Sequence, residues 1–219
     1  MILAVTAGKG GVGKTTVAYN LAAELDAVAI DADLGMADLP RAHGPDLHDV
    51  LAGRACPLEA VREGGPVSLL PCGRSLAGVR AADPAALVDV VERVAREYGR
   101  VVVDSPAGMQ SDAAVPVLAA DAAVLVTQPS RRALAGAVRT RELARALETP
   151  LVRVVLNRAT TDGRYDRLAS ALGAPVLPVP VSEPLASAQR AGHPVRSVAP
   201  ASPASGQFAA LADAVERVL

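Results

Sequence analysis

The first 25 residues constrain the fold more than any other part of the chain. An apolar run from Ile2 to Ala7 ends in a turn in which residues 8, 10, 11 and 13 are glycine. From residue 14 onward, apolar side chains recur with helical spacing, at Val17, Ala18, Leu21, Ala22 and Leu25. The pattern predicts a buried strand, a glycine-rich turn and then a helix.

The turn matches the pattern G-x-x-x-x-G-K-[ST] through Gly8, Gly13, Lys14 and Thr15. Glycines let such a backbone curl with its N–H groups inward, and the positive end of the following helix adds to their attraction for a di- or triphosphate. Lys14 is expected to reach the β- and γ-phosphates and the Thr15 hydroxyl to bind Mg²⁺. A turn that only reversed the chain would need neither the lysine nor the threonine pair.

Lysine usage supports this interpretation. The chain has 22 lysine and arginine residues, yet lysine occurs only at positions 9 and 14. A compact ammonium on a flexible stem differs from a planar guanidinium in hydration and geometry. We therefore expect both positions to require an ammonium group.

Bulk properties indicate a single domain, residues 1–219. Hydrophobic residues make up 51% of the chain and aromatic residues 2%, so one large core built from Ala, Val and Leu is expected. The net charge of −1 provides no general attraction to nucleic acid. No run approaches the ~18 consecutive apolar residues of a membrane span, and the first apolar run is too short for a secretory signal. We expect a cytoplasmic protein.

The two cysteines, Cys56 and Cys72, form no C-x-x-C motif. Their spacing indicates neither a metal site nor a disulfide framework, so buried or incidental thiols are expected.

Two further apolar runs end in carboxylates. A strand over residues 27–30 leads into Asp31 and Asp33, and Val101 to Val103 leads into Asp104-Ser105-Pro106-Ala107-Gly108. Open α/β sheets place their chemistry at the carboxyl ends of strands. Asp104 is expected to hold Mg²⁺ through water, and Gly108 to let a backbone N–H approach the γ-phosphate.

Alternating strands and helices predict a doubly wound, three-layer α/β fold with a mostly parallel sheet flanked by helices. Further strands are expected at 67–70, 121–127, 151–156 and 176–179. Helices are expected at 47–51, 58–61, 83–98, 163–172 and 183–190, with an arginine-rich helix after Ser130 and a final packing helix. Residues 73–82 and 199–206 have loop composition.

Lys9 to Thr16 resembles the deviant Walker A signature of the MinD/ParA family of P-loop ATPases, and residues 104–108 resemble its D-x-P-A-G switch II. The resemblance implies that Lys9 reaches the phosphates of a partner subunit in an ATP-dependent homodimer. It also implies that Asp33, in switch I, positions the attacking water and contacts the Mg²⁺ shell. Catalysis is thus expected from Lys9, Lys14 and Asp33, Mg²⁺ ligation from Thr15, Asp33 and Asp104, and nucleotide contacts from residues Gly8, Lys9, Gly10, Gly11, Val12, Gly13, Lys14, Thr15, Thr16 and Gly108.

The same resemblance assigns the adenine end of the site. Asn157 is the candidate that reads the base edge, next to Arg158, with Pro180 and Ser182 on the covering loop. A turn-forming asparagine is the alternative at position 157. His193, in Gly192-His193-Pro194-Val195, is expected to be structural.

The first functional hypothesis is an ATPase that hydrolyses Mg-ATP slowly and switches between dimer and monomer. This switch would serve spatial positioning, cell division or partition, and an unidentified activating or cargo protein would recognise one of the two states. The second is a DNA-binding partition protein that uses the arginine-rich helix. A solvated helix face is the favoured interpretation of those arginines, because Glu142 and Glu148 dilute their charge.

An iron–sulfur carrier or reductase with a related phosphate loop is disfavoured, because relatives of that type carry paired cluster cysteines that this sequence lacks. The last helix has one arginine in its final turns and no bulky aromatic residue there, so we expect no autonomous membrane anchor.

Overall fold

The computed structural model describes residues 1–35, 39, 43–108 and 111–219. Its centre is a sheet of seven strands, in the spatial order β3-β2-β4-β1-β5-β6-β7. The strands are β1 (Ile2–Ala7), β2 (Val28–Asp31), β3 (Leu69–Leu70), β4 (Val101–Ala107), β5 (Ala122–Thr127), β6 (Leu151–Asn157) and β7 (Val176–Val179). Every neighbouring pair is parallel, so all seven carboxyl ends lie at one edge of the sheet.

Helices cover both faces of the sheet. They are α1 (Lys14–Leu25), α2 (Leu47–Leu51), α3 (Pro57–Ala60), α4 (Leu76–Ala81), α5 (Leu87–Tyr98), α6 (Ser111–Leu118), α7 (Arg131–Ala146), α8 (Asp166–Leu172), α9 (Glu183–Arg190), α10 (Val195–Val198) and α11 (Pro203–Glu216), with a 3-10 turn at Pro84–Ala86. The predicted three-layer, doubly wound fold is confirmed. None of the helices in the described ranges is both long and apolar enough to cross a bilayer.

The core on one face joins α1 and α11 to the central strands, and Phe208, the sole phenylalanine of the chain, is fully buried there. On the other face, α2 and α5 pack on β2 and β4. Most core side chains are Ala, Val or Leu, as the composition predicts. Because β1 lies between β4 and β5, its carboxyl end is the point where the strand order reverses, which is where such sheets bind ligands.

Several element predictions were wrong. Residues 73–82 are not all loop, because Ser75 accepts a hydrogen bond from the Gly78 backbone N–H and starts α4. The connector predicted over 199–206 is shorter, because Ser202 caps α11 and Pro203 occupies its first position. The strand expected at 67–70 is only two residues long. The sequence interpretation also missed α6, which contains Pro116, and the single turn α10.

Candidate nucleotide site

The turn after β1 has two glycines in the left-handed region, Gly11 with φ 73° and Gly13 with φ 99°. Gly13 is the N-cap of α1, so no N-cap side chain binds the first helical turn. The backbone N–H groups of the first turn and the positive end of this 12-residue helix therefore adjoin the loop. The loop therefore has the backbone conformation and the electrostatics of a phosphate-binding site.

Gly8 is required for a different reason from the one that the motif suggests. A Cβ at Gly8 would lie 2.2 Å from the carbonyl oxygen of Gly136, and a Cβ at Gly136 would lie 2.8 Å from that of Gly8. Helix α7 therefore packs backbone to backbone against the start of the loop. By contrast, a Cβ at Gly10 would meet nothing within 4 Å.

The two lysines have opposite environments. Lys14 is buried, and its Nζ lies 3.8 Å from Oδ1 of the fully buried Asp104. Lys9 is exposed, and its Nζ lies 3.5 Å from the carbonyl oxygen of Gly10. Lys14 is thus directed into its own site, whereas Lys9 remains accessible at the surface of the loop.

The predicted acidic residues meet at the carboxyl ends of β2 and β4. Asp31 and Asp104 are register partners on these strands, and both are buried. Asp31 accepts hydrogen bonds from the backbone N–H groups of Asp33 at 3.3 Å and Leu39 at 3.2 Å. Burial, followed by the negative charge of Asp104, raises the pKa of Asp31 to about 7. Asp31 therefore shapes the loop that carries Asp33.

The oxygen donors fit Mg²⁺. Thr15 follows Lys14, whose Nζ lies 3.8 Å from Asp104, and Asp33 comes two residues after Asp31, the register partner of Asp104. The candidate set is therefore one hydroxyl and two carboxylates. Mg²⁺ prefers oxygen ligands and is usually held by one or two carboxylates together with substrate phosphates. Among the described residues, no three or more His, Cys, Asp or Glu side chains form a group that could hold a metal ion by themselves, and Mg²⁺ binding by this set stays a prediction.

A cavity of about 460 Å³ joins the loop to the predicted adenine residues. Its lining includes Gly11, Gly13, Lys14, Thr15, Thr16, Asn157, Arg158, Pro180 and Ser182. The same cavity is therefore lined by phosphate-loop residues and by all four residues that were predicted at the adenine end of the site.

Asn157 also has a structural contact. Its Nδ2 donates a 2.8 Å hydrogen bond to the Val12 carbonyl oxygen, and its Oδ1 accepts from the Arg158 backbone N–H at 3.0 Å. Arg158 has φ 59°, a left-handed conformation that is uncommon for a residue with a side chain. The amide thus braces both the loop and the turn after β6, and base recognition by Asn157 stays a prediction.

Sequence reasoning missed two glutamines that contact the loop. Gln128 Nε2 donates to the Gly11 carbonyl oxygen at 3.2 Å, and the Thr16 hydroxyl donates to Gln189 Oε1 at 3.0 Å. Gln128 directly follows β5 and could have been found from its position at the carboxyl end of a strand. Gln189 is the next-to-last residue of α9 and carries no such signal.

His193 and Cys56 lie outside the 460 Å³ cavity. His193 is exposed, and its backbone N–H donates to the Ala188 carbonyl oxygen at 3.0 Å, as a turn residue would. Cys72 is buried and Cys56 is half-buried, and neither forms a disulfide.

Residues 3–195 match the model of the CobQ/CobB/MinD/ParA nucleotide binding domain. An uncharacterised ATP-binding protein of Methanocaldococcus jannaschii is 35% identical over an alignment that covers 100% of this chain and 89% of the relative.

Two solved structures are also similar. The cell division ATPase MinD of Pyrococcus furiosus has a TM-score of 0.89 at 30% identity, covering 100% of this chain and 99% of that one. The septum site-determining protein MinD of Pyrococcus horikoshii, complexed with Mg-ADP, has a TM-score of 0.90 at 29% identity, covering 99% and 96%. With the phosphate loop, both acidic strand ends and the seven-stranded parallel sheet in place, the chain belongs to the MinD/ParA family of P-loop ATPases.

Proposed function

We propose that this protein binds Mg-ATP, hydrolyses it slowly and forms a homodimer while ATP is bound. The observation that carries the proposal is the 460 Å³ cavity, in which the buried Lys14 and the start of α1 share one space with Asn157, Arg158 and the 180–182 turn. A nucleotide that placed its phosphates on the loop would have room for its base at the other end.

The chain's own groups suggest how the phosphates would be held. Lys14 and the backbone donors of the loop oppose the negative charge of the phosphates, and Thr15, Asp33 and Asp104 would hold Mg²⁺. The bound ion would supply further neutralisation of the charge that develops in phosphoryl transfer. Asp33 is half-buried in the loop two residues after β2, where its carboxylate could orient a water molecule beside the phosphates.

Lys9 is the basis for proposing a dimer. Its side chain is exposed, and its Nζ approaches the carbonyl oxygen of the next residue rather than the buried Asp104. An exposed ammonium at the edge of a phosphate site can reach the phosphates of a second subunit that docks face to face. The dimer, rather than the monomer, would then be the form that an activating or cargo protein binds.

ATP turnover with and without Mg²⁺ tests the ATPase part of the proposal. The parent protein should release phosphate slowly, EDTA should stop the release, and Lys14→Ala should show neither tight ATP binding nor turnover. An ATP affinity equal in parent and Lys14→Ala would remove the proposal, since the site would then lie elsewhere.

DNA binding by α7 is the second candidate function, and the side-chain contacts do not favour it. Arg141 and Arg145 both pair with Glu142, which reduces the positive charge of that face. Arg131, Arg132 and Arg139 are exposed on the same helix. Their exposure fits a solvated helix face as well as it fits a DNA-binding face.

A further inference from the structure

We propose that His48 is a positioning residue for hydrolysis, because its imidazole holds the backbone of the loop that carries Asp33. The inference rests on the proposed ATPase function and assigns a role to a residue outside the nucleotide cavity.

The contact lies one residue beyond Asp33. His48 Nε2 is 3.0 Å from the carbonyl oxygen of Leu34. A carbonyl oxygen only accepts hydrogen bonds, so Nε2 carries a hydrogen and donates it to Leu34. The peptide group between Leu34 and Gly35 is thus hydrogen-bonded to α2. This bond restricts the backbone immediately after Asp33.

The ring is enclosed on the other side by two glycines. A Cβ at Gly73 would lie 2.3 Å from His48 Nδ1, and a Cβ at Gly78 would lie 2.6 Å from it. His48 is 1% exposed, and Cys72 Sγ lies 3.4 Å from Nε2. With so little space around it, the imidazole keeps one orientation, and that orientation directs Nε2 at Leu34.

Helix α2 is itself well anchored. Asp46 and Asp49 form a reciprocal capping box at its start, and the Leu47 backbone N–H donates to the Pro71 carbonyl oxygen at 2.9 Å. The hydrogen bond from His48 therefore links the Asp33 loop to a fixed element that lies against the sheet.

Packing alone does not explain a histidine at position 48, because the buried imidazole lowers the stability of the fold. Nδ1 is buried and has no hydrogen-bond partner in the described ranges. A buried polar atom without a partner lowers stability, and an apolar side chain of similar size would avoid that penalty. What the imidazole adds toward the Asp33 loop is its hydrogen bond to the Leu34 carbonyl oxygen.

Cys72 provides a matched control. Burial raises the pKa of its thiol, so the group is neutral near pH 7 and is not a reactive thiolate. Its sulfur contacts the same ring nitrogen from within the same buried cluster. Cys72→Ala therefore disturbs the packing around His48 but leaves the donor to Leu34 in place.

The experiment compares His48→Leu, His48→Gln and Cys72→Ala with the parent in ATP turnover and in backbone amide exchange at residues 31–35. His48→Leu should lower kcat about tenfold with the KM for ATP changed less than about twofold, since one hydrogen bond is lost outside the nucleotide cavity. His48→Gln, which can place an N–H near the position of Nε2, should recover most of the rate. Cys72→Ala should stay within about twofold of the parent.

Amide exchange separates this inference from the ATPase proposal. Faster exchange at Asp33 and Leu34 in His48→Leu, reversed in His48→Gln, supports the positioning contact even if the parent releases no phosphate, in which case the ATPase proposal fails instead. Unchanged exchange in His48→Leu overturns the inference. An unaltered kcat in His48→Leu also overturns the inference, as does a kcat that falls equally in His48→Leu and Cys72→Ala.

Discussion

Asn157 and Val12 are 145 residues apart in sequence, and the Asn157 side chain donates a 2.8 Å hydrogen bond to the Val12 carbonyl oxygen. The bond joins the end of β6 to the phosphate loop, and both residues are buried. A Cβ at Gly13 would lie 2.2 Å from the same Nδ2. The amide therefore occupies the space that the glycine leaves open, and the two residues depend on each other.

Asn157→Asp keeps the shape of the side chain but replaces the N–H donor with an oxygen that faces the Val12 carbonyl. We expect ATP affinity to fall at least tenfold, because the loop loses a buried hydrogen bond and gains a repulsive contact. Titration with a fluorescent ATP analogue measures the change. If Asn157 also reads the base, the preference for ATP over GTP should narrow in the variant, whereas a purely structural amide would weaken both nucleotides equally.

Gly136→Ala tests the close approach of α7 to the phosphate loop. The added Cβ would lie 2.8 Å from the Gly8 carbonyl oxygen, so the helix or the loop must shift, and the free energy of unfolding should fall by about 1–3 kcal/mol. Chemical denaturation measures the loss. Gly206→Ala is the matched control, because a Cβ at Gly206 in α11 meets nothing within 4 Å and should stabilise by about 0.5–1 kcal/mol. Equal effects at the two positions would contradict the packing argument.

Lys14→Arg tests the requirement for an ammonium group. The guanidinium preserves the charge but is larger and planar, and Lys14 is buried 3.8 Å from Asp104. We expect loss of turnover and weak ATP binding in calorimetry. Arg153→Lys, at a site outside the nucleotide cavity, should bind ATP like the parent. An active Lys14→Arg variant would show that charge alone is sufficient.

DNA retention tests the second candidate function. Because Glu142 pairs with Arg141 and Arg145, the ATP-bound protein should show no measurable retention on a DNA column at about 150 mM salt. ATP-dependent retention that disappears when Arg139, Arg141 and Arg145 are all changed to glutamate would contradict this expectation and favour a partition protein.

Much of the sheet could be predicted because its strands are buried on both faces and are nearly continuous apolar runs, as in Val101 to Val103. The phosphate loop could also be predicted, because few residue types permit its backbone and its chemistry. Helix α4 could not be found from periodicity, since Leu76 is exposed and a single serine cap determines where the helix begins. Cap geometry of this kind depends on the tertiary position of the chain.

Contacts between distant segments limited the prediction of the site. The loop motif predicts Gly8, but nothing in it indicates that Gly136 must also be a glycine. The bonds from Gln128 to Gly11 and from His48 to Leu34 likewise form only in the folded chain. Sequence patterns identify the groups that meet the ligand more readily than the groups that hold them.

The most direct test of the account is the molar mass of the ATP-bound protein in light scattering, measured for Asp33→Ala with and without Lys9→Ala. Asp33→Ala should bind ATP without hydrolysing it and should run at twice the 22.2 kDa chain mass. The double variant should still bind ATP but remain at the mass of one chain, because the exposed ammonium no longer reaches the partner's phosphates. A double variant that dimerises like Asp33→Ala, or an Asp33→Ala protein that stays monomeric with ATP, would contradict the account.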